Sequence, residues 1–299
     1  MLLFSTVRSL KKHLKLLKKG SKRLGFVPTM GALHEGHLSL LRAAKRRSLV
    51  TICSIFVNPT QFNDPKDFEK YPITTEQDLA KLRAMGCDLV FLPSVKEIYP
   101  AGTTNKKPID FGFLATTLEG EHRPGHFDGM AQVVERLLRI TEPDYLFMGL
   151  KDYQQQLIVA QLISYRNMGV KLVSLPTLRE KDGLAMSSRN VRLGKDARRK
   201  AVSLHKELNY VAAQISTLKI QNLEAVSQKP EAKSLADMIG KYTSTSKVRL
   251  VKKGFEVEYL EVRNAKTLSV LTNIREKMVV LVAAKIDGVR LIDNVVVGK

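Results

Sequence analysis

An α/β fold is predicted, with a doubly wound parallel sheet followed by a smaller α+β domain, and three observations predict it. Short apolar runs alternate with helical patterns as far as Pro176. The run Leu49–Val57 is nearly continuous in apolar side chains, as a strand covered on both faces requires. After Pro176 the pattern changes to a long amphipathic helix and then to strands joined by a hairpin signal. The expected division is therefore residues 1–176, a Rossmann-like domain, and residues 177–299, an α+β domain.

The elements follow in order. Ser5–Lys19 is basic and amphipathic, with Val7, Leu10, Leu14 and Leu17 on one face. It could be read as a transit peptide, but a surface helix capped by Ser5 is the expected reading. Gly25–Thr29 reads as the first strand and His37–Arg47 as a helix. Leu49–Val57 is the second strand, and Glu76–Met85 is a helix that stops at Gly86. Asp88–Leu92, Asp144–Met148 and Val170–Leu175 are further strands, with helices over Gly129–Ile140 and Asp152–Arg166 between the later ones. In the second part, Lys195–Ile215 has the spacing of one long helix. The polar stretch Ser216–Lys247 holds a further helix over Ser234–Tyr242. Phe255–Tyr259 alternates strictly, as a strand with one wet face does. Lys277–Ile286 and Val289–Val296 flank Asp287-Gly288, a hairpin turn.

Composition narrows the function. The chain has 299 residues and a net charge of +20, from 49 basic against 29 acidic side chains. The charge is scattered, aromatic residues are few and Trp is absent. No nucleic-acid partner is expected, because no RNA-binding signature accompanies the charge; a basic surface also suits anionic small molecules. No apolar window is long enough to span a membrane, so no membrane partner is expected. Cys53 and Cys87 lack metal-ligand spacing and read as reduced core residues of a cytoplasmic protein.

Chemistry concentrates where strands run into helices. Met30, Gly31, Ala32, Leu33, His34, Glu35, Gly36 and His37 join the first strand to its helix. Glycines let a phosphate approach the backbone, and a helix start offers unpaired N–H groups and the positive dipole end. The spacing Gly31-x-x-x-x-Gly36 imitates a P-loop, but His37 and Leu38 stand where Lys and Ser or Thr would be, so an ordinary P-loop is excluded. Asn58 and Gln61 place carboxamides at the mouth of the second strand, suited to hydroxyl and carboxylate recognition. The loop Glu119–Gly129 reads by itself as an exposed charged turn capped by Asp128. Gly149, Leu150, Lys151 and Asp152 again run from strand to helix. There Lys151 can neutralise a phosphate and Asp152 can cap the helix or accept from ribose, with Gln155 one turn further on. Met186, Ser187, Ser188 and Arg189 supply hydroxyls and a guanidinium, a clamp for a triphosphate.

The His-x-Gly-His turn resembles that of the nucleotidylyltransferase superfamily. The whole set, in this order, closely resembles the pantoate–β-alanine ligase family, nearly end to end. That resemblance implies ATP-dependent condensation of pantoate with β-alanine through an acyl adenylate, with Mg2+, in a homodimer. It also implies roles. Met30 to His37 bind ATP, with His34 and His37 on its phosphates and His37 as proton donor. Gln61 and Gln155 hold pantoate, and Gln61 helps form the β-alanine site. Gly149 to Asp152 hold the nucleotide, with Lys151 on phosphate. Leu178 lines the adenine pocket, and Met186 to Arg189 close on the phosphates. Leu150 departs from the family, which often has Glu or Gln there. Segments Asn63–Tyr71 and Ser187–Ser188 are candidate lids. Two other readings are an adenylyltransferase that acts on a phosphate ester, and a basic RNA-binding protein with a degenerate nucleotide fold.

Overall fold

The computed structural model describes residues 1–299 except 21, 63–64, 105–107, 225–231 and 299. Its larger sheet contains β1 (Leu2–Phe4), β2 (Leu24–Thr29), β3 (Val50–Ile55), β4 (Leu89–Phe91), β5 (Tyr145–Gly149) and β6 (Lys171–Leu175). All pairings in it are parallel, in the order β1-β4-β3-β2-β5-β6. Burial explains the central strands. All six residues of β3 are buried. Its polar Thr51 is satisfied by Asp88, which accepts from the Thr51 N–H at 2.8 Å and hydroxyl at 2.7 Å. Phe26, Ile52, Phe91 and Leu146 are at most 2% exposed, and each such burial stabilises by roughly 1.5–3 kcal/mol. Chain direction from β2 leads one way along the sheet and from β5 the other. The carboxyl ends of β2 and β5 are therefore the switch point, the place where open α/β sheets bind ligands.

Several expectations need adjustment. β1 was not foreseen; it pairs Leu2 with Leu89 and Phe4 with Phe91, a registry that no local pattern encodes. The helix after it, Val7–Lys19, buries Leu10 and Leu14 as expected, but its cap is Thr6, whose hydroxyl accepts the Ser9 N–H at 3.2 Å. Asp128 caps nothing: the helix is His126–Thr141 and its N-cap is Gly125, in the left-handed region at φ 76°. Asp152 does stand at the N-cap of Tyr153–Tyr165, without a capping side-chain bond.

The chain divides into two units. The first is Met1–Leu178 together with Met186–Ser188; the second is Arg179–Ala185 together with Arg189–Lys299. The expected boundary at residue 176 put Met186–Ser188 with the second part. Two bonds explain their place in the first: Met186 N–H donates to Leu178 C=O at 3.0 Å, and the Ser188 hydroxyl donates to Ala32 C=O at 3.0 Å.

In the second unit the expected long helix is two, Lys195–Ala201 and Ser203–Glu224, and the later one is longer than expected, Ala232–Lys252. Part of the stretch Ser216–Lys247 lies outside the described residues. An antiparallel sheet β7-β8-β9 carries the second core: β7 (Glu256–Asn264), β8 (Met278–Ile286) and β9 (Val289–Val297). The hairpin turn is where expected, with Asp287 at φ 54° and Gly288 at φ 66°. Strict alternation in β7 is broken by a bulge between Val257 and Tyr259, which leaves both Tyr259 and Leu260 buried.

Candidate active site

The β2 turn satisfies its own main chain. Gly31 N–H donates to the Thr29 hydroxyl at 3.2 Å. The N–H groups of Ala32 and Leu33 donate to the two oxygens of Asp78, at 2.8 and 2.7 Å. His34 N–H donates to His37 Nδ1 at 3.3 Å, and Gly36 N–H donates to His34 Nδ1 at 3.1 Å, a reciprocal cap. The N–H groups of Gly31, Ala32, Leu33, His34 and Gly36 are thus committed within the protein.

The same bonds settle what the imidazoles offer. Each Nδ1 accepts, so each neutral ring carries its proton on Nε2. The rings lie 4.0 Å apart between centroids. Burial, then the positive charge of Lys151, lowers the pKa of His34 from 6.5 to about 4. Burial, then His34 and Lys151, pushes His37 well below the ordinary range. Two neutral Nε2–H donors therefore stand near one ammonium. Because the Lys151 charge acts on both rings, the β5 turn converges on the β2 turn. Lys151 Nζ lies 3.3 Å from each carboxylate oxygen of Asp152.

Leu150 is half-buried, and its N–H donates to Leu175 C=O at 2.8 Å, which ties the β5 turn to β6. Met186 also reaches the β2 turn: a Cβ added to Gly36 would lie 3.7 Å from the Met186 Cβ. Ser187 is half-buried beside it, while Leu178 is exposed and Glu35 points to solvent, paired with Arg42 at 2.7 Å. Arg189 follows Ser188 in the chain and belongs to the second unit.

The carboxamides separate into two kinds. Gln61 and Gln155 are half-buried on the first unit. Asn58, expected to face a ligand, is fully buried. Its amide donates to Gly129 C=O at 3.2 Å, and its carbonyl accepts from the Tyr99 hydroxyl at 2.9 Å and the Thr60 hydroxyl at 3.1 Å. These bonds hold the turn Asn58–Phe62. The loop read as exposed and charged serves the same turn. Glu119 and His126 are buried. His126 Nδ1 donates to Gln61 C=O at 2.8 Å, while Arg123 donates to His126 Nε2 at 3.0 Å and to Gln61 C=O at 3.2 Å. Arg123 in turn lies 3.7 Å from the Glu119 carboxylate.

Sequence reasoning missed Asp78 and Lys81. Asp78 is wholly buried, and Lys81 Nζ donates to Leu33 C=O at 2.6 Å. The available signal was an acidic residue one turn before Leu82, on the apolar face of an amphipathic helix. Beside them is a cavity of about 260 Å3, with Met30, Gly31, Val57, Thr74 and Asp78 in its wall. Of the candidate lid Asn63–Tyr71, residues 63 and 64 lie outside the described residues; Pro65–Glu69 forms a short helix. Among the described residues, no group of three or more His, Cys, Asp or Glu is arranged to hold a metal ion, and no helix is long and apolar enough to cross a membrane.

Comparison with known proteins completes the picture. Residues 2–296 match the family model for pantoate-beta-alanine ligase. A pantothenate synthetase of Cytophaga hutchinsonii is 42% identical over 299 residues, covering 99% of each chain, and one of Leptospira biflexa is 41% identical over 297 residues, covering 98% of each. The crystal structure of pantothenate synthetase from Thermus thermophilus superposes with a TM-score of 0.85 at 35% identity, covering 99% of each chain. A pantoate-beta-alanine ligase from Francisella tularensis, complexed with beta-gamma ATP and beta-alanine, gives 0.78 at 34% identity, covering 99% of this chain and 97% of that one. With the site at the switch point of its parallel sheet and a match along nearly its whole length, the chain belongs to the pantoate–β-alanine ligase family.

Proposed function

We propose that the turns at the ends of β2 and β5 form the site that activates pantoate with ATP and couples it to β-alanine, giving pantothenate, AMP and pyrophosphate. A carboxylate is a poor acyl donor because its leaving group would be oxide. Attack of a pantoate carboxylate oxygen on the α-phosphorus, with cleavage of the bond to the β-phosphate bridge, makes the mixed anhydride and releases pyrophosphate. The β-alanine nitrogen then attacks the acyl carbon, loses a proton, and AMP leaves. Neither step needs a covalent bond to the enzyme. What the first needs is in-line placement and donors aimed at charge that builds on the phosphates.

The observation that carries this reading is the pair of neutral Nε2–H donors at His34 and His37, both within reach of the Lys151 charge. In this assignment His37 donates a hydrogen bond from Nε2, since its Nδ1 accepts the His34 N–H. Lys151 neutralises a phosphate, and Gly149 and Asp152 flank the nucleotide. The Ser188 hydroxyl touches the phosphate turn at Ala32, which fits a closing role for Met186–Ser188 that hides the adenylate from water. Gln61 and Gln155 hold pantoate, Gln61 with its backbone fixed by His126 and Arg123. Leu178 lines the adenine site.

We assign Mg2+ to the triphosphate itself. The described residues build no metal cage, which suits an ion that keeps its waters and enters on substrate phosphates. A homodimer in a reducing cytoplasm is part of the same proposal; both cysteines are free and buried. No observation favours the phosphate-ester or RNA-binding alternatives.

The test is to mix protein, ATP, Mg2+ and pantoate with and without β-alanine, and to assay AMP and the amide. His37→Ala and Lys151→Ala should fold normally and lose ATP–pyrophosphate exchange by roughly 2–4 kcal/mol of barrier each. Wild-type exchange in both variants would refute the phosphate roles.

A further inference from the structure

We propose that Asp78 and Lys81, on the helix Thr75–Ala84, are positioning residues that set the conformation of the phosphate turn for adenylate formation. The inference rests on the assignment of that turn to the triphosphate. A fully buried carboxylate without an ion pair must have its oxygens satisfied in another way, and here the satisfaction is specific. Asp78 Oδ1 accepts the Leu33 N–H at 2.7 Å. Its Oδ2 accepts the Ala32 N–H at 2.8 Å and the Thr74 hydroxyl at 3.1 Å. Three residues on, Lys81 donates to Leu33 C=O at 2.6 Å. The two side chains therefore grip consecutive peptide groups of the turn from one helix.

The grip has three consequences for the site. Ala32 sits at φ 48°, a left-handed conformation that a residue with a Cβ seldom adopts, and the Asp78 bond to its N–H holds it there. The N–H groups at 32 and 33 are taken up by Asp78, which leaves the imidazole Nε2–H groups as the donors that the turn can offer an anion. The Ala32 carbonyl, on the other side of the same residue, receives the Ser188 hydroxyl. One carboxylate thus orients both the histidine pair and the landing point of the closing segment. Lys81 also lies near enough for its charge to act on His34 and His37.

The experiment separates the two half-reactions. ATP–pyrophosphate exchange needs the triphosphate turn in register; amide formation from supplied pantoyl adenylate and β-alanine makes no use of the β- and γ-phosphates. Asp78→Asn keeps the size but turns an amide N–H toward a donor. It should lower exchange about 100-fold, the scale of a small misplacement of reacting groups. Amide formation from supplied adenylate should fall at least about tenfold less than that. Lys81→Met should show the same split more weakly, and Lys81→Arg should restore exchange, because a guanidinium can still donate to Leu33 C=O. Equal loss of both half-reactions, or unchanged exchange in Asp78→Asn and Lys81→Met, overturns the proposal. If Asp78→Asn fails to melt cooperatively, the two Lys81 variants decide. His37→Ala is the control for the underlying assignment. Exchange surviving there refutes the phosphate role of the turn, whereas exchange lost there but kept in the Asp78 and Lys81 variants refutes only the positioning role.

Discussion

Ring nitrogens decide what the histidines of this protein can do. At His126 the partners assign the tautomer without ambiguity: Gln61 C=O can only accept, so Nδ1 carries the proton, and Arg123 can only donate, so Nε2 is bare. Burial and the neighbouring Arg123 lower its pKa from 6.5 to about 4. Between those two values the unfolded chain binds a proton that the folded chain refuses, at residue 126 and likewise at His34. Stability therefore falls as pH drops from 6.5 toward 4, the sign expected for a depressed base. His126→Gln retains a donor and an acceptor but cannot titrate. Its melting temperature should depend less steeply on pH across that window than that of the parent protein, as calorimetry at matched ionic strength would measure; an unchanged slope would contradict the assignment. The place of His34 and His37 between strand and helix was legible in the sequence. Their tautomers were not, because each is set by a backbone group that only the folded turn brings near.

Elements, in turn, are placed by contacts that sequence spacing hints at without specifying. The turn Asn58–Phe62 packs against the helix His126–Thr141 so closely that a Cβ at Gly129 would lie 2.0 Å from Thr60 C=O. Gly129→Ala should push the turn away, carry Gln61 with it, and cost about 1–3 kcal/mol, the usual range for overpacking. Urea denaturation would measure the loss. With Gln61 on pantoate and the β2 and β5 turns on ATP, as proposed above, the KM for pantoate should rise while the KM for ATP stays near its parent value. Helix and strand types along the first unit were readable from period and burial. Less readable were elements whose existence depends on distant partners: β1 needs β4, and the helix Glu119–His122 needs Gln154, which accepts the Glu119 N–H at 3.2 Å. The single helix expected over Lys195–Ile215 breaks at Val202 although its apolar spacing continues.

At the scale of the whole molecule, each unit has its own core, and the second depends on a buried ion pair. Arg179 donates to both oxygens of Asp293, at 2.6 and 3.0 Å, and also to Gly183 C=O at 3.2 Å, so it ties the hairpin Arg179–Ala185 to β9. Asp293 is 3% exposed. Asp293→Ala would leave the guanidinium without its carboxylate and should cost about 3–5 kcal/mol. In calorimetry the loss should fall on the transition of the second unit, and a melting profile identical to the parent would refute it. By itself the sequence determined the α/β class, and it placed Gly31, His34, His37, Gln61, Lys151 and Gln155 in the segments that follow strand ends, because period, glycine placement and polar groups at strand ends are local properties. Tertiary structure alone decided that Asn58 faces inward, that the turn's N–H groups are held by Asp78, and that His126 and Arg123 brace Gln61. Each of these is a hydrogen bond between groups far apart in the chain, and a buried polar group takes whichever partner the fold delivers.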